Sequence, residues 1–566
     1  MESSAIQSMD ITSIKAVLSD LRRNILPSRF EKAQQPDPNT IQLGFRNLNA
    51  LNWLEISWEA ESARIVQIDS PKKIGGESTL ARQINHGIHK MVLTSLNQKG
   101  FERVIKLNFC YRPGEPIKKT LIVEIMGRHS NILLVDEEGK IITLGRQIRE
   151  NQSRIRPLST GSIYIPPPRM SGKEPDLKEK YDKWKGNLCL IPKSFKKALQ
   201  ESYQGISPSH VNRLLDLKEK GFRVNSETNV ALINEEDWQV IFKRWNNWLA
   251  TIKEEDYQLS FDGTNNFSVW GDFSQSSKSE PIALPLGEFY KEKVTLKKLY
   301  ILHKKINLIL DKEREIESSS LRKQRSYLKE ISENDLIKKE ADRLLSQPFP
   351  TKDQINKAQK LYKKYKKYIR SSKIIEERIS HHKQRIINIS ESQSFLIDIM
   401  ESKNDTIEAK LNMVNDLSQE LNEYLLPRRR SKNNLVHSKN KRGLNILELK
   451  SPNGLIIQIG RNHSQNDWIS IRKASKGDVW FHAQECPGSH IVLKSSTGVS
   501  EEKDLQMAAD LAAFFSRARG NKSVPIVMVP TENLRRIKGA APGTVLHNGG
   551  EIIWGDSAEG MRHFQA

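Results

Sequence analysis

Between residues 288 and 425 the chain nearly stops using glycine and proline, and leucine, isoleucine, lysine and glutamate take over. The exceptions fall in one short run, Ser346-Gln-Pro-Phe-Pro-Thr351. A proline inside a helix lacks the amide proton and its ring clashes with the preceding turn, so two prolines this close end a helix. The segment therefore predicts two long helices, about 289–345 and 352–401, folded back on each other as an antiparallel arm. At 1.5 Å per residue, about 50 residues per helix reach roughly 75–80 Å. A compact domain has no use for that reach, whereas an arm that touches something large does.

The second helix also carries the sharpest charge cluster. Residues 351–373 hold nine basic side chains and one acidic, and Tyr362, Tyr365 and Tyr368 are interleaved among them. Lysines packed this densely repel one another unless an anion compensates, so Lys363, Lys364, Lys366 and Lys367 are candidate phosphate contacts. The tyrosines are read as seam residues packing on the partner helix. A second basic run, residues 427–442, has seven basic and no acidic side chains and is expected to be a flexible linker that orders on an anionic partner. Lys plus Arg is 90 and Asp plus Glu is 68, a net charge of +22, and its clustering points to nucleic acid or an anionic surface.

A chain of 566 residues is too long for one core. The expected division is 1–175, a β-rich domain; 176–287, a helical and mixed region; 288–426, the arm; 427–442, the linker; and 443–566, a small α/β domain. Residues 1–26 read as a helix starting after Asp10, with Ile11, Ile14, Val17, Leu18 and Leu21 on one face. Residues 40–170 read as strands interrupted by one helix at Ala81–Lys99 and closed by Ile165-Pro-Pro-Pro168. Gln204-Gly-Ile-Ser-Pro208 is a tight turn between two helices. It reads equally as an ordinary connection or as a helix-hairpin-helix that aims backbone N–H groups at a phosphate. Trp238, Trp245 and Trp248 follow helical spacing and, with Trp270, are expected in the core. In the last domain, strands are expected at Ile456–Ile459, Trp468–Ile471, Val479–His482, His490–Leu493, Val524–Val529 and Glu551–Trp554, with a helix at Asp504–Arg519.

Three cysteines lie far apart with no CxxC pair, which argues against a disulfide framework and against a zinc ribbon. His482, Cys486 and His490 are spaced four apart, but the intervening Pro-Gly breaks a helix and no fourth ligand follows, so no metal is expected. The first residues lack the basic start and apolar run of a signal peptide, and no stretch approaches 18 apolar residues. A reducing cytoplasm, with no membrane partner, is the expected location. No phosphate-binding loop, dinucleotide fingerprint or Ser-His-Asp ordering stands out, so neither an intrinsic enzyme activity nor a cofactor is expected.

Several separated motifs resemble one family. Ile459-Gly-Arg-Asn-His through Asp467, Asp478-Val-Trp-Phe-His482, Pro487-Gly-Ser-His490, Ala508–Ser516 and Lys538-Gly-Ala-Ala-Pro-Gly543 occur in the order of the NFACT RNA-binding domain. Glu124-Ile-Met-Gly-Arg-His-Ser-Asn131 with Ile132–Asp136 resembles the NFACT N-terminal domain, Gly205-Ile-Ser-Pro208 its helix-hairpin-helix, and the basic arm its coiled coil. The resemblance covers essentially the whole chain. It implies a multidomain α+β protein: a glycosylase-like β-rich domain, a helix-hairpin-helix region, a coiled-coil arm and an α/β RNA-binding domain. It also implies a ribosome-quality-control factor that binds stalled large subunits, through 23S rRNA and peptidyl-tRNA. Bacterial members recruit alanyl-tRNA and direct alanine tailing, and a small S4-type helper protein is an expected partner. Peptide transfer would be done by ribosomal RNA, with the factor supplying proximity and orientation.

Carried onto this chain, the family's tRNA-linked residues fall on Asp10 and on Glu102-Arg103, where Glu stands in place of the family's Asp. Arg128 and His129 are further candidate tRNA contacts. Arg461, Asn462, Arg472, Lys473 and Lys476 are candidate rRNA contacts, with His482 and His490 orienting that loop. The ordinary alternatives are an N-cap for Asp10, a surface ion pair for Glu102 and Arg103, and a turn-stabilising role for Arg128 and His129. Two rival classes have less support. A formamidopyrimidine-type DNA glycosylase needs an N-terminal proline nucleophile and zinc-finger cysteines, and this chain opens Met1-Glu2-Ser3. A fibronectin-binding surface adhesin needs an export or anchoring signal, and none is read here.

Overall fold

The computed structural model describes residues 6–73, 78–149, 151–153, 155–168, 171–216, 222–262, 266–271, 281–332, 335–403, 405–424, 446–537 and 542–565. The basic linker 427–442 and most of the Lys538–Gly543 motif lie outside them. The chain forms two compact units, Met1–Val294 and Thr295–Ala566. Among the described residues no helix is long and apolar enough to cross a membrane.

In the first unit, helix α1 (Ile11–Asn24) starts on Asp10, whose side chain accepts from the Ser13 amide, and its Ile11, Ile14, Val17, Leu18 and Leu21 stripe is buried. Nine strands follow: β1 Ser28–Asp37, β2 Thr40–Arg46, β3 Leu51–Ser57, β4 Arg64–Ile68, β5 Val92–Gln98, β6 Val104–Cys110, β7 Lys119–Glu124, β8 Asn131–Asp136 and β9 Ile141–Leu144. They form one antiparallel sheet in the order β4-β3-β2-β1-β5-β6-β7-β8-β9. The helix expected at Ala81–Lys99 is much shorter: α2 covers Thr79–Gly87, and Val92–Gln98 is β5. The helix ends at Gly87 with Ile88 as its C-cap, Lys90 then turns the chain in the left-handed conformation (φ 60°), and Leu93 and Leu96 pair with Phe109 and Leu107 of β6. A short helix also suits the packing, because a Cβ on Gly87 would stand 2.6 Å from Leu134.

Helices α3 (Tyr181–Cys189), α4 (Phe195–Ser202), α5 (Pro208–Leu215) and α6 (Glu235–Glu254) share an aromatic core, and the two-stranded sheet of β10 (Ser260–Asp262) and β11 (Asn266–Ser268) follows. Trp184, Trp238, Trp245, Trp248 and Trp270 are all buried in it, as the helical spacing on α6 predicts. His210 of α5 lies inside this core, its ring 4.1 Å from that of Trp248, and neither ring nitrogen has a hydrogen-bond partner among the described residues. Burial, with Arg244 adding repulsion, pulls its pKa from the ordinary 6.5 to about 3. A histidine held neutral in the fold but free to protonate when unfolded stabilises fully above pH 6.5, and that contribution falls as the pH drops towards 3. At pH 5 the loss is about 2 kcal/mol, from 1.4 kcal/mol per pKa unit. Urea unfolding at pH 7 and pH 5 checks this: His210→Phe is expected to unfold with a flatter pH dependence than the parent, and an unchanged slope would place the acid sensitivity elsewhere.

The arm is built from α7 (Ala283–Ser332), α8 (Asp335–Leu345) and α9 (Lys352–Glu401). The break falls at residues 346–351, where Thr351 opens α9 with a reciprocal capping box to Gln354. In the second unit, Leu299, Ile306 and Leu310 of α7 pack with Ile389, Phe395, Leu396 and Ile399 of α9 and with Val414, Leu417 and Leu421 of α10 (Ile407–Tyr424).

The end of the chain forms a six-stranded antiparallel sheet from β12 (Leu447–Lys450), β13 (Ile456–Ile459), β14 (Val479–Ala483), β15 (Ile491–Leu493), β16 (Val524–Pro530) and β19 (Glu551–Gly555). A separate hairpin of β17 (Leu534–Arg536) and β18 (Val545–His547) precedes β19. Helices α12 (Glu502–Phe514) and α13 (Ser557–Gln565) cover one face of the sheet. Trp468–Ile471, expected as a strand, is instead a widened helical turn that continues α11 (His463–Asp467), with the Lys473 amide reaching back to the Trp468 carbonyl at 2.8 Å. The alternation of Trp, Ile, Ser and Ile mimicked a strand, but Asn462 caps a helix here by accepting from the Gln465 amide.

Candidate nucleic-acid interface

Asp10 and Arg103 are distant in sequence, yet they line one cleft of about 360 Å³ in the first unit, together with Gln200, Gln204 and the turn Gly205–Pro208. Each arrives from a different element. Asp10 caps α1, Arg103 stands just before β6, and the turn joins α4 to α5. Gly205 locks these parts together. Its φ is +77°, and a Cβ there would meet Phe101, two residues before Arg103, at 3.0 Å and Ile11, next to Asp10, at 3.1 Å. Ser207 Oγ accepts from the His210 amide at 3.0 Å, capping α5, and donates to Asp10 Oδ2 at 3.3 Å.

Within this cleft the two charges differ. Asp10 is buried, and its Oδ1 accepts from the Ser13 amide at 2.8 Å and from Ser13 Oγ at 2.7 Å, so the N-cap reading holds structurally while Oδ2 faces the turn. Arg103 is half-buried and its guanidinium makes no hydrogen bond or ion pair among the described residues. Burial lowers its pKa from the usual value, and the nearby Asp10 carboxylate opposes that. A planar fork of five N–H donors with no internal acceptor is prepared for a phosphate or carboxylate. Glu102 does not line the cleft; its carbonyl accepts from Gln98 Nε2 at 2.7 Å and its amide donates to the Lys99 carbonyl at 3.2 Å.

Capping and charge at Asp10 can be separated. Asp10→Asn keeps a good capping side chain and is expected to leave thermal stability nearly unchanged, whereas Asp10→Ala is expected to cost about 1 kcal/mol. Equal losses in both variants would show that charge, not capping, is what the fold uses at this position.

Arg128 and His129 are exposed on the short turn Gly127–His129 between β7 and β8, where Arg128 Nε donates to His129 Nε2 at 3.0 Å. They do not line the cleft. Lys363, Lys364, Lys366 and Lys367 of α9 are all exposed, while Tyr362, Tyr365 and Tyr368 are half-buried. Tyr362 bonds to Asp342 of α8, and the ammonium of Lys338 lies 5.9 Å from the Tyr365 ring.

The residues of the last domain divide. Arg461 and Asn462 do not reach the surface: Arg461 is buried against Asp405 at 2.6 Å, and Asn462 is a buried cap. Their polarity is used inside the fold, whereas Arg472, Lys473 and Lys476 are exposed. His490 Nδ1 pairs with Ser470 Oγ at 2.7 Å, which ties it to the turn bearing Arg472. Burial lowers the pKa of His490 well below its ordinary value and that of His482 to about 4, so both rings are neutral near pH 7. Sequence alone gives no expectation for Arg535, Arg536 and His547 as a group, and all three are exposed on the β17–β18 hairpin. The Arg-Arg pair next to Lys538-Gly-Ala-Ala-Pro was the available signal.

Comparison with known proteins meets this geometry at the cleft. The family model for the NFACT N-terminal and middle domains matches residues 10–348, beginning on Asp10 itself. The chain belongs to the NFACT family. The model of the NFACT protein RNA binding domain matches residues 446–553. Among curated NFACT relatives, the Rqc2 homolog RqcH of Streptococcus suis is 26% identical over 564 residues, covering 94% of this chain and 95% of that protein. The Rqc2 homolog RqcH of Bacillus subtilis is 23% identical over 576 residues, with 94% and 95% covered. A solved structure, the C-terminal of the fibronectin/fibrinogen-binding protein from Streptococcus suis, is 25% identical and covers 47% of this chain and 98% of its own, at a TM-score of 0.38. That likeness is too slight to carry fibronectin binding across. Family membership and the RNA-binding domain support a role in ribosome quality control.

Proposed function

We propose that this protein is a cytoplasmic RNA-binding factor that holds stalled large ribosomal subunits carrying peptidyl-tRNA, recruits alanyl-tRNA and directs alanine tailing of the nascent chain. The observation that carries the reading is Arg103, whose guanidinium has no hydrogen-bond or ion-pair partner among the described residues, in a cleft walled by Asp10 and the Gly205–Pro208 turn, within a chain that matches NFACT models in both units. The cleft would take a tRNA phosphate or an adjacent group. The exposed lysines of α9 and the Arg472–Lys476 loop would take 23S rRNA, with an S4-type RNA-binding helper completing the assembly. In this reading the protein performs no bond chemistry; it converts an encounter of two tRNAs into a fixed geometry, and ribosomal RNA transfers the peptide.

The test is to purify the tagged protein from cells and sequence the RNA that comes with it. Enrichment of 23S rRNA together with alanine tRNA supports the proposal. Recovery of ribosomal RNA with no tRNA family enriched would remove tailing and leave a subunit-binding protein only.

A further inference from the structure

The face of the six-stranded sheet opposite α12 is only half covered. Strand register places Trp480, His482, Val527, Val529, Ile552 and Trp554 on it: Trp480 pairs with Val529, His482 and Ile552 both pair with Val527, and Trp554 pairs with Pro525. The Trp468–Arg472 turn and the β17–β18 hairpin pack over Trp480, Val492 and Val529. Among the described residues the cover ends beyond His482. Ile552 is 54% exposed and Trp554 61% exposed, on β19, the outermost strand. They stand beside a ready-made ring stack, since Trp480 and His482 are 5.5 Å apart and 8° from parallel.

Charge around this strip is sided. The helices on the other face carry Glu502, Glu559 and the buried Asp504 and Asp510 against Lys503 and Arg562, a net acidic balance. The elements that border the open strip carry Arg472, Lys473, Arg535 and Arg536. Asp467 takes Arg472 at 3.2 Å and Arg536 at 3.3 Å, while the Arg535 side chain has no ion pair or hydrogen bond among the described residues.

We propose that this strip binds unpaired nucleotides of RNA, with one base stacked on the Trp554 indole, further bases running towards His482, and the hairpin arginines holding the phosphates. The proposal rests on the RNA-binding reading above and names the form of RNA that this domain takes. From strand geometry the two rings stand roughly 12 Å apart, a gap that a few nucleotides of extended single strand cross. A duplex keeps its base faces stacked internally and presents phosphates and groove edges, against which an exposed indole gains little. The cationic rim favours a polyanion over an apolar protein surface.

The experiment uses the full chain, a short unstructured RNA and a duplex of the same length, at an ionic strength that damps phosphate contacts. Trp554→Ala is expected to weaken single-strand binding roughly five- to a hundredfold, the range for loss of one base–aromatic stack. Trp554→Phe is expected to retain most of the affinity. Duplex binding and the salt slope should not move, because no cation is lost. Trp554 is largely exposed, so thermal unfolding of both variants should match the parent. Unchanged single-strand affinity in Trp554→Ala, or equal losses for single strand and duplex, overturns the proposal. Loss of large-subunit binding with RNA affinity intact also overturns it and assigns the strip to a protein. If the parent protein binds neither RNA, the RNA-binding reading falls as well; if the parent binds and the variant binds equally, only this inference does.

Discussion

Replacing Arg103 with alanine is expected to remove most tRNA from the purified protein while large-subunit binding persists. Hydrogen bonds to a charged group contribute about 1.5–3 kcal/mol, so losing the guanidinium should lower tRNA affinity about tenfold to a hundredfold. The effect should be specific, because among the described residues the Arg103 side chain has no hydrogen-bonded partner whose charge its removal would strand. Arg103→Lys should recover only part of the affinity, since an ammonium is a point charge and lacks the planar fork. The measurement is tRNA recovered per mole of protein, with 23S rRNA as the internal control. Equal recovery from parent and Arg103→Ala would take Arg103 out of the site.

The second large effect concerns the arm. Changing Lys363, Lys364, Lys366 and Lys367 together to alanine should flatten the salt dependence of large-subunit binding. Each phosphate contact adds roughly 0.7–0.9 to the slope of log affinity against log salt, so four such contacts account for about 3. The fold should tolerate the change, because all four lysines are exposed. The half-buried tyrosines between them, with Tyr362 bonded to Asp342, remain to hold α8 against α9. A slope unchanged in the quadruple variant would mean that these lysines serve solubility and not binding.

The arm and its break were legible because two prolines in a helical run have few other meanings, and the tryptophans of α6 because helical spacing predicts which faces are buried. The cleft was legible only in parts. Asp10 and Arg103 could be named from motif resemblance, but nothing in local sequence states that Gly205 packs between Phe101 and Ile11 and so brings the two charges to one turn. Arg461 shows the opposite failure. Its position in a basic motif suggested a surface, and only the fold supplies Asp405 as its buried partner. Two local patterns misled. Trp468–Ile471 alternates like a strand but lies in a helical turn fixed by the Asn462 cap, and Ala81–Lys99 reads as one helix although Lys90 turns left-handed and frees Val92–Gln98 to pair in the sheet. The β17–β18 hairpin was missed because three-residue strands carry too few positions for a period to show.

The account depends on tRNA lying in the cleft of the first unit. Photocrosslinking of alanine tRNA to the protein on large subunits, followed by peptide mapping, tests this directly. Crosslinks should concentrate in the segments around Arg103 and Gly205–Pro208 and vanish with Arg103→Ala. Crosslinks confined to the arm or to residues 446–565, unaffected by that substitution, would contradict it.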